Sequence, residues 1–150
     1  MLEGMHGGGC QCGAVRYQIK GALPPAYVCH CGECQKQSAS SFSVSIAIPF
    51  DRIAVEGELA MFETTGLSGA LKRCYFCPHC GSRLWHRSAR SPQNATLKVG
   101  TLDDTTRIAP AFHLWTSRKQ GWVQLNPSVP AWETQPENLM ELRQFMSGKS

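Results

Sequence analysis

Seven of the eight cysteines in this 150-residue chain fall into three short clusters, and these clusters constrain the fold more than any other feature. The clusters occupy residues 10–12, 29–34 and 77–80. Four cysteines can close a tetrahedral zinc site that only supports a fold, whereas three leave one position of the metal open for water or substrate. The division of seven into four and three therefore predicts two zinc ions per chain, one structural and one with an open position.

The clustered cysteines are predicted to bind metal rather than to form disulfides. The chain opens without the basic segment, apolar segment or cleavage site of a secretory signal, so we expect a cytoplasmic protein with reduced thiols. Cysteines two or three positions apart are well placed to bind one ion and poorly placed to pair with each other. No apolar run approaches the roughly 18 residues of a membrane span, and no membrane partner is expected.

Length and charge predict one domain that does not bind nucleic acid. A chain of this length can bury roughly two-thirds of its unfolded surface. The formal charge is +4, and binding two zinc ions through seven thiolates would lower it to about +1. Lys and Arg are scattered rather than grouped, which is not typical of a nucleic-acid-binding surface. We expect residues 1–6 to be a partly vector-derived extension, residues 7–136 the zinc domain, and residues 137–150 a tail with a short helix.

Short alternating segments between turn residues predict a mostly β fold with little helix. Strands are expected at residues 13–20, 42–48, 53–55, 59–62, 73–76, 83–86, 95–99, 111–115 and 122–125. The segments 53–55 and 59–62 flank a glycine and are expected to pair as a hairpin. Apolar residues at helical spacing occur only within residues 136–146.

Spacing alone leaves the partners of Cys77 and Cys80 undecided. A C-x-x-C turn lets two sulfurs reach one ion, and Gly81 permits the tight turn that follows. The partner could be the second C-x-x-C at residues 31–34, as in a zinc ribbon. It could equally be the pair at residues 10–12, whose side chains share one face of a strand because strand side chains alternate.

Longer motifs around the cysteines carry a family resemblance. Residues 8–17 read Gly-Gly-Cys-Gln-Cys-Gly-Ala-Val-Arg-Tyr, residues 29–34 read Cys-His-Cys-Gly-Glu-Cys, and residues 75–84 read Tyr-Phe-Cys-Pro-His-Cys-Gly-Ser-Arg-Leu. Further matching segments lie at residues 100–104, 110–115 and 121–122. In these motifs the chain resembles the glutathione-dependent formaldehyde-activating enzyme family, which also includes centromere protein V. The resemblance runs from about Gly7 to Pro136.

The resemblance implies a single zinc-stabilised β-tent domain of short antiparallel strands and assigns the cysteines to two sites. The implied ligands of a structural zinc are Cys10, Cys12, Cys77 and Cys80. The implied ligands of a catalytic zinc are Cys29, Cys31 and Cys34. In one departure, Ala39 stands where family members usually have a glycine, beside the expected substrate position.

The activity implied by the resemblance is the condensation of glutathione with formaldehyde to S-(hydroxymethyl)glutathione. We therefore expect a carbon–sulfur lyase that acts on glutathione or a related thiol. Thiolate ligands suit an exchangeable sulfur at zinc, which would lower the pKa of the bound thiol. The zinc could equally polarise the aldehyde oxygen. The alternative is a non-catalytic zinc-binding module with an interaction or chaperone-like role.

Other reactive residues are expected to be structural. Cys74 is predicted to be a buried, inert thiol. His30 should point away from the sulfurs of its neighbours, and His79 should be exposed. His113 is expected to be a hydrogen-bonded core histidine, with a pocket acid or base as the alternative.

Two basic residues and the tryptophans complete the candidates. Lys36 and Arg73 are candidates for pairing with the carboxylates of a glutathione-like ligand, although exposed surface residues are the simpler interpretation. Core or pocket-wall positions are expected for Trp85, Trp115, Trp122 and Trp132.

Overall fold

The computed structural model describes residues 4–67, 69–136 and 140–146, and strands dominate it. The strands are β1 Met5–Gly9, β2 Arg16–Lys20, β3 Ala26–Cys29, β4 Ser43–Pro49, β5 Ile53–Glu56, β6 Ala60–Thr65, β7 Leu71–Phe76, β8 Arg83–Ser88, β9 Asn94–Lys98 and β10 Pro110–Leu114. Helix α1 spans Gly32–Ser38, and helix α2 spans Met140–Met146, inside the segment with helical spacing. The predicted mostly β fold is confirmed. No helix in the described ranges has the length and apolar character needed to cross a membrane.

The strands form two sheets. The small sheet has the order β1-β2-β5 and is antiparallel. The large sheet has the order β10-β3-β4-β9-β8-β7-β6 and is antiparallel except for the pair β10 and β3. Because β5 pairs with β2 and β6 pairs with β7, the predicted hairpin of residues 53–55 and 59–62 is wrong.

The chain leaves the small sheet for the large sheet at Gly57. This residue has a φ of 104°, a conformation that L residues rarely adopt. A Cβ atom at Gly57 would also overlap the backbone oxygen of Ala14, in the loop before β2. The turn that sequence analysis assigned to a hairpin therefore directs β6 away from β5.

The main core fills the space between the two sheets. The small sheet contributes Tyr17 and Ile19 from β2, and the large sheet contributes Ile46, Ile48 and Trp85 from β4 and β8. Tyr17 meets Trp85 edge to face, with ring centroids 6.0 Å apart. Full burial of each large apolar side chain contributes about 1.5–3 kcal/mol. This packing buries one face of the large sheet, and the opposite face makes separate contacts.

A smaller apolar cluster covers part of that second face. Phe112 and Leu114 of β10 pack with Tyr27 of β3 and with Leu142 and Phe145 of α2. The rings of Tyr27 and Phe112 stack with a centroid distance of 5.2 Å. Helix α2 therefore packs beside the strand that ends at the cluster of residues 29–34.

The strand predicted at residues 122–125 is absent, and a turn stands in its place. The Val123 N–H donates to the Gln120 oxygen at 3.0 Å. Trp122 is 71% exposed, so its predicted position in the core or a pocket wall is also wrong. Gly121 and Pro127 bound this stretch with residues that favour turns, and these outweigh the short alternation.

Helix α1 has no counterpart in the sequence-based expectations. None of its residues is buried, so it carries no apolar periodicity that could predict a helix. Cys31 caps its first turn through the sulfur, and Ala39 ends it in the left-handed conformation. The start and end of α1 are therefore set by local capping rather than by burial of an apolar face.

We expect Gly57→Ala to lower the free energy of unfolding by about 2–4 kcal/mol, because it adds backbone strain and a steric overlap. Gly69→Ala is the matched control, since Gly69 also has a positive φ of 81° but open space around the added Cβ. The control should lose only about 1–2 kcal/mol. Urea unfolding of the metal-loaded proteins, followed by tryptophan fluorescence, measures both. Equal losses of unfolding free energy in the two variants would show that the overlap with Ala14 adds nothing to the backbone strain.

Candidate functional site

Four cysteines from two distant turns meet beside the sheets. Cys10 and Cys12 lie in the turn after β1, and Cys77 and Cys80 lie in the turn after β7. The four sulfur atoms lie within 4.8 Å of one another. The sulfurs of Cys10 and Cys12 are 3.6 Å apart, and those of Cys12 and Cys77 are 3.8 Å apart. A tetrahedral zinc with Zn–S bonds of about 2.3 Å places its sulfurs about 3.8 Å apart, so this group fits one zinc ion.

Ser82 connects the two turns beside these sulfurs. Its Oγ accepts a hydrogen bond from the Gln11 N–H at 3.0 Å and lies 3.3 Å from the Cys80 sulfur. Hydrogen bonds from Ser82 lower the pKa of Cys80 to about 5. This lowering of the pKa favours the thiolate, the form that binds metal.

The geometry decides the pairing that spacing left open. Cys77 and Cys80 share their site with Cys10 and Cys12. Residues 31–34 contribute to a separate group, so the zinc-ribbon alternative is wrong. The two groups are the same as those implied by the family resemblance.

The other three cysteines meet where β3 continues into α1. Cys29 ends β3, Cys31 is the N-cap of α1, and Cys34 lies in the first turn of that helix. Their sulfurs lie within 4.8 Å of one another. Hydrogen bonds with Cys29 and then Cys31 lower the pKa of Cys34. Three soft sulfur donors fit a zinc ion, and no fourth His, Cys, Asp or Glu of the described residues joins them.

All three of these cysteines line a cavity of about 250 Å³. One wall is the face of the large sheet that points away from the main core. That wall carries polar side chains from four strands: Ser45, Lys98, His86 and Lys72. Leu114 and Trp115 line the cavity near the end of β10. A metal ion held by the three sulfurs would therefore have access to this cavity.

Positive charge dominates the polar wall. Lys98 Nζ lies 3.4 Å from Ser45 Oγ. Loss of water lowers the pKa of Lys98, and the charge of Cys34 only partly opposes this shift. Burial, followed by the charges of Lys98 and Lys72, lowers the pKa of His86 to about 3, so His86 is neutral at pH 7. Its Nδ1 atom is buried and has no hydrogen-bond partner.

Sequence analysis did not single out the polar residues of this wall. The available signal was alternation, since Ser43 and Ser45 in β4, and Thr96 and Lys98 in β9, alternate with core residues. Both serines are buried. Polar residues at every second position of a strand normally indicate a face exposed to solvent. Only the order of the neighbouring strands shows that these residues line a cavity instead.

The two basic residues proposed from sequence lie outside the cavity. Lys36 is exposed on α1. Arg73 is exposed on β7, and its Nε lies 3.8 Å from an oxygen of Glu63. Both therefore match the simpler interpretation of exposed surface residues.

His30 lies between two of the cysteines in sequence but forms a separate contact. Its buried ring hydrogen-bonds His113, with 3.0 Å between Nε2 and Nδ1. Its backbone N–H donates to the Leu114 oxygen at 3.0 Å. Neither histidine lines the cavity that holds the cysteines. The expected hydrogen bond of His113 is confirmed, although its side chain is half-buried rather than part of the core. The pair connects the start of α1 to β10.

Two further expectations are confirmed. Cys74 is fully buried in β7 and belongs to neither cysteine group. His79 is exposed in its turn.

Comparison with known proteins assigns the chain to a family. The sequence model described as glutathione-dependent formaldehyde-activating enzyme matches residues 5–118. The chain belongs to this family. A protein of Halomonas elongata, provisionally named a glutathione-dependent formaldehyde-activating enzyme, is 29% identical over 125 residues, which cover 79% of each chain.

A solved structure shows the same fold. The crystal structure of a Rhodobacter sphaeroides protein aligns with a TM-score of 0.53 and 19% identity. The alignment covers 84% of this chain and 99% of that chain. At this identity the likeness concerns the fold alone.

We expect Cys77→Ser to remove one metal ion per chain and to unfold the domain, because that site joins turns 65 residues apart. Cys31→Ser should remove one metal ion and leave the fold intact. Cys74→Ser is the matched control and should keep the metal content of the unsubstituted protein. Elemental analysis and far-UV circular dichroism measure metal and fold. A folded Cys77→Ser protein with full metal content would contradict the assignment.

We expect Ala39→Gly to stabilise the protein, because Ala39 has a φ of 50° at the end of α1 and glycine adopts this conformation without strain. The gain should be about 1 kcal/mol, or about 2–4 °C in melting temperature. Ala54→Gly, in exposed β5, is the control and should destabilise by about 0.5–1 kcal/mol. Thermal unfolding of the metal-loaded proteins measures both. A loss of stability in Ala39→Gly would show that the methyl group makes a needed contact.

Proposed function

We propose that the protein is a zinc-dependent enzyme of the carbon–sulfur lyase type, which forms and cleaves the adduct of a small thiol with an aldehyde. S-(hydroxymethyl)glutathione, the adduct of glutathione and formaldehyde, is the reference substrate. The observation that carries the proposal is the position of Cys29, Cys31 and Cys34 in the wall of a cavity. Membership of the family supports glutathione and formaldehyde as the class of substrates.

The two groups of cysteines would hold two zinc ions with different roles. Cys10, Cys12, Cys77 and Cys80 would supply four ligands and complete a structural site. Cys29, Cys31 and Cys34 would supply three ligands and leave one position toward the cavity. Zinc in that position supplies a binding site for a thiol sulfur and lowers the pKa of the bound thiol.

The reaction transfers no electrons overall. In the forward direction the thiol loses its proton and its sulfur attacks the aldehyde carbon. One carbon–sulfur bond forms, one bond of the carbon–oxygen double bond breaks, and the oxygen takes up a proton. The reverse reaction breaks the carbon–sulfur bond and returns the thiol and the aldehyde.

Residues of this chain would position the reactants. Capping by Cys31 fixes the first turn of α1, and thereby the place of Cys34 relative to Cys29. The positive charge of Lys98 favours an anionic sulfur near Cys34. Trp115 would limit the access of water to the reacting atoms.

The structure favours an enzyme over a non-catalytic module. A module needs only a closed site and a stable fold, which the four-cysteine group can provide. The three-cysteine group has no fourth ligand among the described residues, and it opens on a polar cavity. All eight cysteines are free of disulfides, which agrees with the proposed cytoplasmic location.

We expect zinc-loaded protein to accelerate the interconversion of glutathione and S-(hydroxymethyl)glutathione in the presence of formaldehyde. Exchange spectroscopy by NMR measures the rate against the uncatalysed reaction. Cys31→Ser should reduce the rate to the uncatalysed value, because it removes a ligand of the open site. Cys74→Ser should keep the full rate. A zinc-loaded protein that neither accelerates exchange nor binds any thiol in calorimetry would support the non-catalytic module instead.

A further inference from the structure

A row of polar side chains extends from the three cysteines across the large sheet. Ser45 of β4 is the cross-strand neighbour of Lys98 of β9. His86 of β8 is the neighbour of Thr96 of β9, and Lys72 lies on β7 next to β8. The row crosses four neighbouring strands. Because neighbouring strands are about 4.8 Å apart, it is about 14 Å long. These residues all line the cavity that contains the cysteines.

The positive charge of this row has no carboxylate partner. Neither Lys98 nor Lys72 forms an ion pair with a carboxylate of the described residues. Glu33 also lines the cavity, and it too forms no ion pair with either lysine. Both lysines are half-buried. Charges that lose water without a partner destabilise a fold, so an anion that enters the cavity would be bound favourably.

The cysteines can account for one of the two positive charges. Zinc bound by three thiolates carries a formal charge of about −1, which one lysine balances. Lys98 is the nearer lysine by strand order, because β9 lies two strands from β3, which ends at Cys29. Lys72 lies two strands beyond the strand of Lys98, and the three-thiolate site leaves its charge unbalanced.

A buried hydrogen-bonding atom lies in the same region. His86 is nine-tenths buried, and its Nδ1 has no partner. Most buried polar atoms in proteins are hydrogen-bonded, so this Nδ1 atom is available to a group that enters the cavity. Lys72, Lys98 and His86 all line this cavity, so one ligand that enters it would lie beside all three.

We propose that this row is a carboxylate-binding subsite for the thiol substrate. Lys98 and Lys72 would form ion pairs with the carboxylate, and His86 Nδ1 and Ser45 Oγ would offer hydrogen bonds. The sulfur of the same molecule would occupy the open position at the three cysteines. The inference rests on the proposed function and narrows its substrates to small thiols that carry a carboxylate.

The test compares two thiols of nearly equal size on the zinc-loaded protein. The probes are 3-mercaptopropionate and its neutral amide, 3-mercaptopropionamide, with affinities measured by calorimetry. We expect the acid to bind about tenfold more tightly than the amide, as for a charge-assisted contact in a partly buried site. Lys72→Met should abolish most of that preference, because the three-thiolate site balances the charge of Lys98, and Lys98→Met should reduce it.

Lys20→Met is the matched control, because Lys20 is exposed on β2 of the small sheet and its loss changes the net charge equally. It should keep the preference for the acid. Metal content and circular dichroism are measured for every variant. If Lys98→Met loses zinc or fold, Lys72→Met and the comparison of the two probes on the unsubstituted protein still decide the question.

The outcomes separate this inference from the proposed function. Equal binding of acid and amide to the unsubstituted protein would overturn the carboxylate subsite and leave the thiol-binding function standing. Binding of neither thiol would overturn both. A preference for the acid that persists in both lysine variants would place the carboxylate elsewhere and overturn the assignment.

Discussion

Four sulfur atoms meet where turns of the two sheets come together, and a metal ion bound there would join the sheets. Cys10 and Cys12 come from the small sheet, and Cys77 and Cys80 come from the turn between two strands of the large sheet. Cys12 and Cys77 are 65 residues apart in sequence. Closing so long a loop removes much of the entropy of the unfolded chain. Because Cys10 and Cys77 also belong to the main buried cluster, a metal ion bound there would support the same contact between sheets as the core packing.

This contact leaves one face of the large sheet free for chemistry. The main core covers the face that carries Ile46, Ile48 and Leu97. On the opposite face, α2 packs against side chains of β10 and β3, and the part of that face beyond β3 forms a wall of the cavity. Apolar residues that face the core therefore alternate with polar residues that face the cavity along β4 and β9. The same strands thus contribute apolar side chains to the core between the sheets and polar side chains to the candidate site.

Sequence reasoning predicted the elements better than their arrangement. Alternation located β4, β8 and β9 because each has one face in the core, and it failed at residues 122–125, where turn residues prevail. Spacing found every clustered cysteine but could not pair the groups, since the partners are distant in sequence. The cavity residues depend on strand order. Ser45 and Lys98 are 53 residues apart, and only the register of β4 with β9 brings them together.

The three-cysteine group differs from the four-cysteine group in being contained within residues 29–34. Because this segment is so short, its three sulfur ligands stay close together even when the chain is unfolded. A ligand stabilises a fold only to the extent that it prefers the folded state over the unfolded one. Zinc at residues 29–34 would therefore add less to stability than zinc at the distant turns. The segment would bind a metal ion before the chain folds, and loss of that ion would cost the scaffold little stability.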